Sequence, residues 1–158
     1  MIIGVLADSH IPKRARDLPA QAYQHLSRVA AIIHAGDVLV MDVLERLERI
    51  APVYAVRGNN DRDLELPERQ LLCWEGVELA VVHDSGPRQG RPARMRRWFP
   101  HARVVVFGHS HVPMNEWHDG QLLFNPGSAT DRRRQPNHTM GMLRLSDSQV
   151  EGEIIVLD

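Results

Sequence analysis

Cysteine is nearly absent from this sequence: Cys73 is the only one in 158 residues. One thiol cannot close an internal disulfide, and a cysteine-based zinc site is excluded. Aromatic residues are scarce at 5%, which argues against a broad stacking platform for single-stranded nucleic acid. An excess of either charge is missing too. The formal net charge is −1, so no global field draws the chain to a polyanion. Long apolar runs are also lacking. Residues 2–7 are apolar, but Asp8 interrupts them, leaving a run too short for a signal peptide and far too short for a membrane span. Neither Gly-x-Gly-x-x-Gly nor Gly-x4-Gly-Lys occurs, so a nucleotide cofactor has no motif to support it. A reducing cytoplasm is the expected location, with no membrane association.

What is present describes an ordinary globular protein, 43% hydrophobic and 25% charged. The length suits one domain with a proper core, expected to span residues 1–158. Residues 2–7 read as a buried strand, followed by a helix opened by Pro19 with an apolar stripe of Ala22, Leu26, Val29 and Ala30. A second strand over 31–35 and a second helix over 41–50 precede a third strand at 53–56. This β-α-β-α-β order favours parallel strands with right-handed crossovers. The pattern then changes to a hairpin, 70–74 and 77–82, turning at Glu75-Gly76. An amphipathic helix carrying Met95, Trp98 and Phe99 leads to the run Val104-Val105-Val106-Phe107. Beyond it, strands at 115–118, 121–124, 139–145 and 150–157 are expected to be antiparallel.

Five apolar runs end in polar punctuation: Asp8-x-His10, Gly36-Asp37, Gly58-Asn59-x-Asp61, His83, and Gly108-His109-x-His111. A lone pair of this kind is more often a turn or a satisfied core polar group. Five of them at strand ends are different, because open α/β sheets place ligands at the carboxyl ends of their strands. Gly108 is expected to turn the backbone, with His109 and His111 projecting from one face of an extended segment. The set mixes imidazole, carboxylate and an amide oxygen, which suits Mn, Fe, Zn, Co or Ni better than Mg or Ca. With Asp61 left to its loop, the seven ligands that remain are too many for one tetrahedral ion. They suit two ions roughly 3.5–4 Å apart, as used for displacement at phosphorus.

In order and spacing these motifs resemble the signature of the calcineurin-like metallophosphoesterases, and the length with Asn125-Pro126-Gly127-Ser128 resembles their compact prokaryotic phosphodiesterases. The stretch Asp8-Ser9-His10-Ile11-Pro12 with Leu18-Pro19-Ala20 is also similar to the retromer subunit built on this fold. The resemblance implies an α/β sandwich of two mixed sheets flanked by helices. It implies that Asp8, His10 and His111 hold one metal, Asn59, His83 and His109 the other, and Asp37 both. Asp37, Asn59 and His109 are then the catalytic candidates, manganese the first-choice ion, and a hydroxide between the ions the nucleophile on a small phosphodiester. Two residues depart from the family pattern. Asn60 stands where larger relatives carry a histidine able to protonate the leaving group, and Asp84 where many have glycine.

The remaining polar residues have plainer expected roles. Asp61 supports its loop, His34 is a hydrogen-bonded packing residue, and Cys73 packs in the core. His25, His101, His118 and His138 lie at the surface. Arg94, Arg96 and Arg97 form a solvated helix face. Asn60 and the loop arginines Arg88 and Arg132 are candidate substrate contacts. A non-catalytic scaffold and a nucleic-acid-processing protein are the rival classes, and self-association is compatible with everything above. The scaffold has no chemical need of the full ligand set.

Overall fold

The computed structural model describes residues 1–158. The apolar runs near the N-terminus form β1 (Ile2–Leu6) and β2 (Ala31–His34), joined through α1 (Ala20–Leu26). β2 is buried throughout and β1 from Ile3 onward, so neither alternates, as expected of parallel strands covered on both faces. α2 (Met41–Glu48) buries Val43, Leu44 and Leu47, the three-and-four spacing of a helical stripe. It stops short of residue 50 because the N–H groups of Ile50 and Ala51 both turn back to the Leu47 carbonyl ahead of Pro52. β3 (Val53–Ala55) follows, then the hairpin β4 (Arg69–Trp74) and β5 (Val77–Val82). Glu75 and Gly76 both take positive φ, the requirement of a type I′ turn, and Asp119-Gly120 does the same in the later hairpin.

The chain continues through α3 (Arg91–Trp98), β6 (Val104–Val106), β7 (Met114–His118), β8 (Gln121–Asn125), β9 (Thr139–Ser146) and β10 (Gln149–Val156). Two five-stranded mixed sheets result, ordered β10-β9-β1-β2-β3 and β4-β5-β6-β8-β7. The α/β sandwich of two mixed sheets expected above is the observed fold. One expectation fails: β8 pairs with β6 in parallel. After β6 the chain runs to the sheet edge as β7 and returns by the hairpin, which places β8 between them with the direction of β6.

Three apolar clusters hold these layers. Ile3, Val5, Ile33, Leu79, Val81, Val104, Val106 and Phe124 meet between the sheets. Leu6, Leu26, Ile32, Leu44 and Leu47 pack the first sheet against α1 and α2. Ala80, Met95, Phe99, Val105 and Phe107 pack the second sheet against α3. The period-two alternation within β6, Val104 and Val106 inward and Val105 outward, serves two of these clusters at once.

Two further expectations are corrected. Cys73 is exposed. It lies on edge strand β4, where Leu72 and Trp74 pack inward and Leu71 and Cys73 point out. Arg94 is not a free surface cation: its guanidinium donates to the carbonyls of Ser85 (2.8 Å), Gln89 (3.3 Å) and Pro87, tying the preceding loop to α3. Arg96 likewise donates to the Asp119 carbonyl at 2.6 Å.

Candidate metal centre

The segments leaving β1, β2, β3, β5 and β6 converge on one edge of the sandwich and are stitched to each other by hydrogen bonds. Asp8 N–H donates to Gly36 O (2.9 Å), His10 N–H to Asp37 O (3.1 Å) and Gly108 N–H to His83 O (3.0 Å). Bonds also cross between sheets. His109 N–H donates to Asp8 Oδ2 at 2.9 Å, and His83 Nδ1–H to Ala35 O at 2.7 Å.

The candidate ligands fall into two halves. His10 Nε2 lies 3.9 Å and His111 Nε2 3.6 Å from Asp8 Oδ1, and the two rings are 5.2 Å apart between centroids. In the other half His83 Nε2 is 2.9 Å from Asn59 Oδ1, and His109 Nδ1 is 3.3 Å from that same oxygen. The His83 and His109 rings are also 5.2 Å apart. Asp37 Oδ2 sits between the halves, 3.4 Å from His10 Nε2 and 3.4 Å from His83 Nε2. Asp8 Oδ1 is 3.9 Å from His83 Nε2 as well, so Asp8 reaches across with Asp37. Asp8, His10 and His111 meet the spacing for one ion, and Asp8, Asp37 and His83 meet it for a second. His109 and His111 thus join different halves. They are not side by side on a strand: β6 ends at Val106, and both histidines adopt left-handed backbone conformations.

The unsatisfied atoms show what these residues fit. Asp8 Oδ1, His10 Nε2 and His111 Nε2 are buried and have no hydrogen-bond partner. Such orphans cost on the order of 1–3 kcal/mol each, and all three face a common point. His83 and His111 donate Nδ1–H to the carbonyls of Ala35 and Asp131, which turns their Nε2 atoms toward the surrounding oxygens. Acceptors facing acceptors call for a cation or a proton between them, and a histidine anchored through its other nitrogen is the usual metal-ligand arrangement. Imidazole, carboxylate and amide donors here fit divalent transition metals.

Protonation in the metal-free protein carries the same signature. Burial pushes the Asp8 carboxyl up to about 7, against the pull of His83 and with a push from Asp37. Burial also opposes ionisation of Asp37. There the hydrogen bond and charge of His83, with the two donors of Asn60, win and hold the group well below the usual carboxylate range. His83 is raised, since its bond to Asp37 and the charges of Asp8 and Asp37 outweigh burial. Burial lowers His10 and His111. His34 is driven down to about 4 by complete burial. Its Nδ1 accepts from Gly36 N–H (3.2 Å), so Nε2–H donates to Ser9 Oγ (2.7 Å), which is the packing role expected of it.

The backbone is strained where the candidate ligands sit. Asp8, His10, Asp37, His109 and His111 all have positive φ, a conformation side-chain-bearing residues rarely adopt and that persists only where neighbours over-determine it. Asp61 supplies much of that constraint. Its carboxylate is 1% exposed and accepts from the N–H groups of Asp37 (2.8 Å), Leu39 (2.8 Å), Gly58 (2.8 Å) and Val38 (3.3 Å). Glycine is required by space at two points. A Cβ on Gly58 would meet Asp37 Oδ1 at 2.1 Å, and one on Gly108 would meet Asp8 Oδ2 at 2.9 Å. The Gly108 requirement is close approach. The turn itself is taken by His109.

The candidate substrate residues disperse. Asn60 donates through N–H to Asp37 Oδ1 and through Nδ2–H to Asp37 Oδ2, both at 2.9 Å, so its amide orients Asp37. Arg88 borders a separate cleft with Glu116 and His118. Arg132 donates to the Gln135 carbonyl at 2.6 Å. The charge of its neighbour Arg133, by contrast, reaches Asp8, His10 and His111. The loop after β8 is a positioning element that motif reading missed. Ser128 Oγ donates to Asp8 O (2.9 Å), Thr130 Oγ1 to Ser9 O, and the Asp131 carbonyl holds His111. The Asn-Pro-Gly-Ser segment was its only signal in the sequence.

Comparison with known proteins agrees with this geometry. The chain is 35% identical over 159 residues to a probable metallophosphoesterase of Methanothermobacter thermautotrophicus, covering 98% of this chain and 92% of that one. It is 37% identical over 133 residues to a probable metallophosphoesterase of Methanocaldococcus jannaschii, covering 82% and 69%. Among solved structures, zinc-complexed Vps29 of Entamoeba histolytica superposes with a TM-score of 0.82 at 21% identity, over all of both chains. An archaeal phosphodiesterase superposes at 0.74 with 21% identity, over 98% of this chain and 100% of that one. These two share the fold. Residues 1–148 match the calcineurin-like phosphoesterase superfamily domain, and the chain belongs to that family.

Proposed function

We propose that residues 1–158 form one catalytic domain, a phosphodiesterase that works with two divalent ions, manganese first among them. The observation that carries this reading is the convergence of buried, partnerless Asp8 Oδ1, His10 Nε2 and His111 Nε2 beside a second cluster of facing acceptors. Asp8, His10 and His111 would hold one ion, and Asn59, His83 and His109 the other. Asp37, equidistant at 3.4 Å from His10 and His83, would touch both. Two bound ions supply a water of lowered pKa and neutralise phosphoryl oxygens.

The chain's own residues set the geometry for that chemistry. Asp61 clamps the Asp37 turn through four backbone N–H groups. Asn60 fixes both Asp37 oxygens, and its amide has no acidic proton for a leaving group. Phosphodiesters with good leaving groups are therefore the preferred substrates. His109, less buried than the three other candidate-ligand histidines, has Nε2 3.9 Å from Asp84 Oδ2 and stands at the rim, where a substrate would enter. Arg133 lends positive charge on the opposite side. The proposed setting is the cytoplasm, with a small dissolved substrate; no helix is long and apolar enough to cross a membrane.

The test is purified protein stripped of metal and reloaded with Mn, Ni, Zn or Mg, assayed on an aryl phosphodiester and the matching monoester. Mn or Ni should restore diesterase activity, and Asp37→Asn should abolish it. Full activity in stripped protein, or in that variant, overturns the reading.

A further inference from the structure

A cleft of about 320 Å³ opens directly from the Asn59 and His83 half of the centre. Two of its walls come from elements that carry no candidate ligand, Arg69 at the start of β4 and Trp98 at the end of α3, and Arg57 joins them from the segment after β3, ahead of Asn59. Asp84 and Glu68 complete it. The cleft lies at the small end of the range for ligand pockets, enough for a single ring system with its sugar and too small for a polymer.

Its chemistry is specific. The Arg69 guanidinium lies over the Trp98 ring at 4.7 Å and over Phe99 at 5.2 Å. A guanidinium ordered on an aromatic ring loses little further freedom on binding. It also offers a flat cationic surface on which a planar π-system stacks. Arg57 Nη2 is paired with Glu68 Oε1 at 2.7 Å, and Asp84 brings a second carboxylate. Two guanidinium groups and two carboxylates leave no net charge to select an anion. They do provide donors and acceptors around a flat wall, the complement of a heteroaromatic ring that itself carries both.

We propose that this cleft is a specificity subsite that receives the base of a nucleoside attached to the scissile phosphate, with the Arg69–Trp98 pair as its stacking wall and Arg57, Glu68 and Asp84 as polar partners. It rests on the phosphodiesterase reading for the placement of the phosphate, and it names the substrate class as nucleoside-bearing phosphoesters. Arg69 is a binding residue here and touches no reacting atom.

The experiment is calorimetric titration of manganese-loaded protein with adenosine 5′-monophosphate and, separately, with glycerol 1-phosphate, which offers the same phosphate without a base. Hydrolysis of bis(p-nitrophenyl) phosphate is measured in parallel. The nucleotide should bind about tenfold or more tightly than glycerol phosphate, the worth of one stacked base. In Arg69→Met, whose side chain is exposed and outside the core, that preference should fall to about twofold or less. Arg57→Met should reduce it partially, and glycerol phosphate affinity should hold in both variants. Equal binding of the two ligands to the unaltered protein, or a preference that survives in Arg69→Met, overturns the subsite. If the loaded protein hydrolyses no phosphoester yet shows the Arg69-dependent preference, the catalytic reading falls and the subsite stands.

Discussion

Removal of the Asp61 carboxylate is the sharpest perturbation of the scaffold beneath the candidate metal ligands. Oδ2 accepts from the N–H groups of Asp37, Gly58 and Val38, while Oδ1 accepts from Leu39. Asp61→Ala would strand all four donors near a position that is 1% exposed. Hydrogen bonds to a charged acceptor contribute about 1.5–3 kcal/mol each, but they are not additive here because the donors relax together. A net loss of about 3–5 kcal/mol is the realistic expectation, at the upper end for single substitutions. Asp61→Asn can keep its oxygen at the Oδ2 position and three of the bonds, placing its NH2 against the Leu39 N–H. That limits the loss to about 1–3 kcal/mol. Urea unfolding of metal-free protein measures both directly. Manganese affinity should fall in parallel, since Asp37 is what the clamp holds. If Asp61→Ala stays within about 0.5 kcal/mol of the unaltered protein, or if stability falls with no loss of metal affinity, the clamp reasoning is wrong.

Gly58→Ala should leave a folded protein with kcat/KM lowered by about a hundredfold or more. Its Cβ would lie 2.1 Å from Asp37 Oδ1 and 2.3 Å from the Asp37 backbone nitrogen, so the turn that carries this carboxylate must shift, with some loss of stability beside the loss of rate; near-normal kinetics would contradict this. Asn60→Ala removes one bond to Asp37 Oδ2 while the backbone donor to Oδ1 remains. Metal affinity should drop about tenfold, in the range for loss of a group that orients a ligand, with little change in unfolding free energy. Metal loading should also release protons. Asp8, raised to about 7, and His83, also raised, are protonated in the metal-free protein at about pH 6 and must give up those protons to bind a cation. Calorimetry in buffers of different ionisation enthalpy should show that release shrinking as pH rises above about 7. The Asp8 contribution to metal-free stability has the same sign. It is complete below the ordinary carboxylate value and is lost as pH rises through about 7.

The strand ends were legible because each carries its own contrast: an apolar run such as Val104-Val105-Val106 that stops at Gly108 and then histidine. Buried parallel strands cannot tolerate those polar residues inside, so the change of composition marks the edge of the sheet. The role of Asp61 was legible for a related reason, as a carboxylate three residues beyond a glycine turn. Cys73 was misplaced because Leu71, Leu72 and Trp74 around it look like core, and only the pairing of β4 at a sheet edge shows which face is exposed. The direction of β8 depends on where β7 lies, which local pattern does not encode. Arg94 was read as solvated because helical position says nothing of a loop folding back beneath it. The arginine run after Asp131 was visible, but nothing in the run itself marks Arg133 as the member whose charge reaches Asp8.

In the proposed centre two ions share this edge, with His109 and His111 serving different ones. Anomalous diffraction from manganese-soaked crystals tests it directly. Two peaks roughly 3.5–4 Å apart are expected, one enclosed by Asp8, His10 and His111, the other by Asn59, His83 and His109, with Asp37 in contact with both. A single peak ligated by His109 and His111 together, or no peak at these residues, would rule that arrangement out.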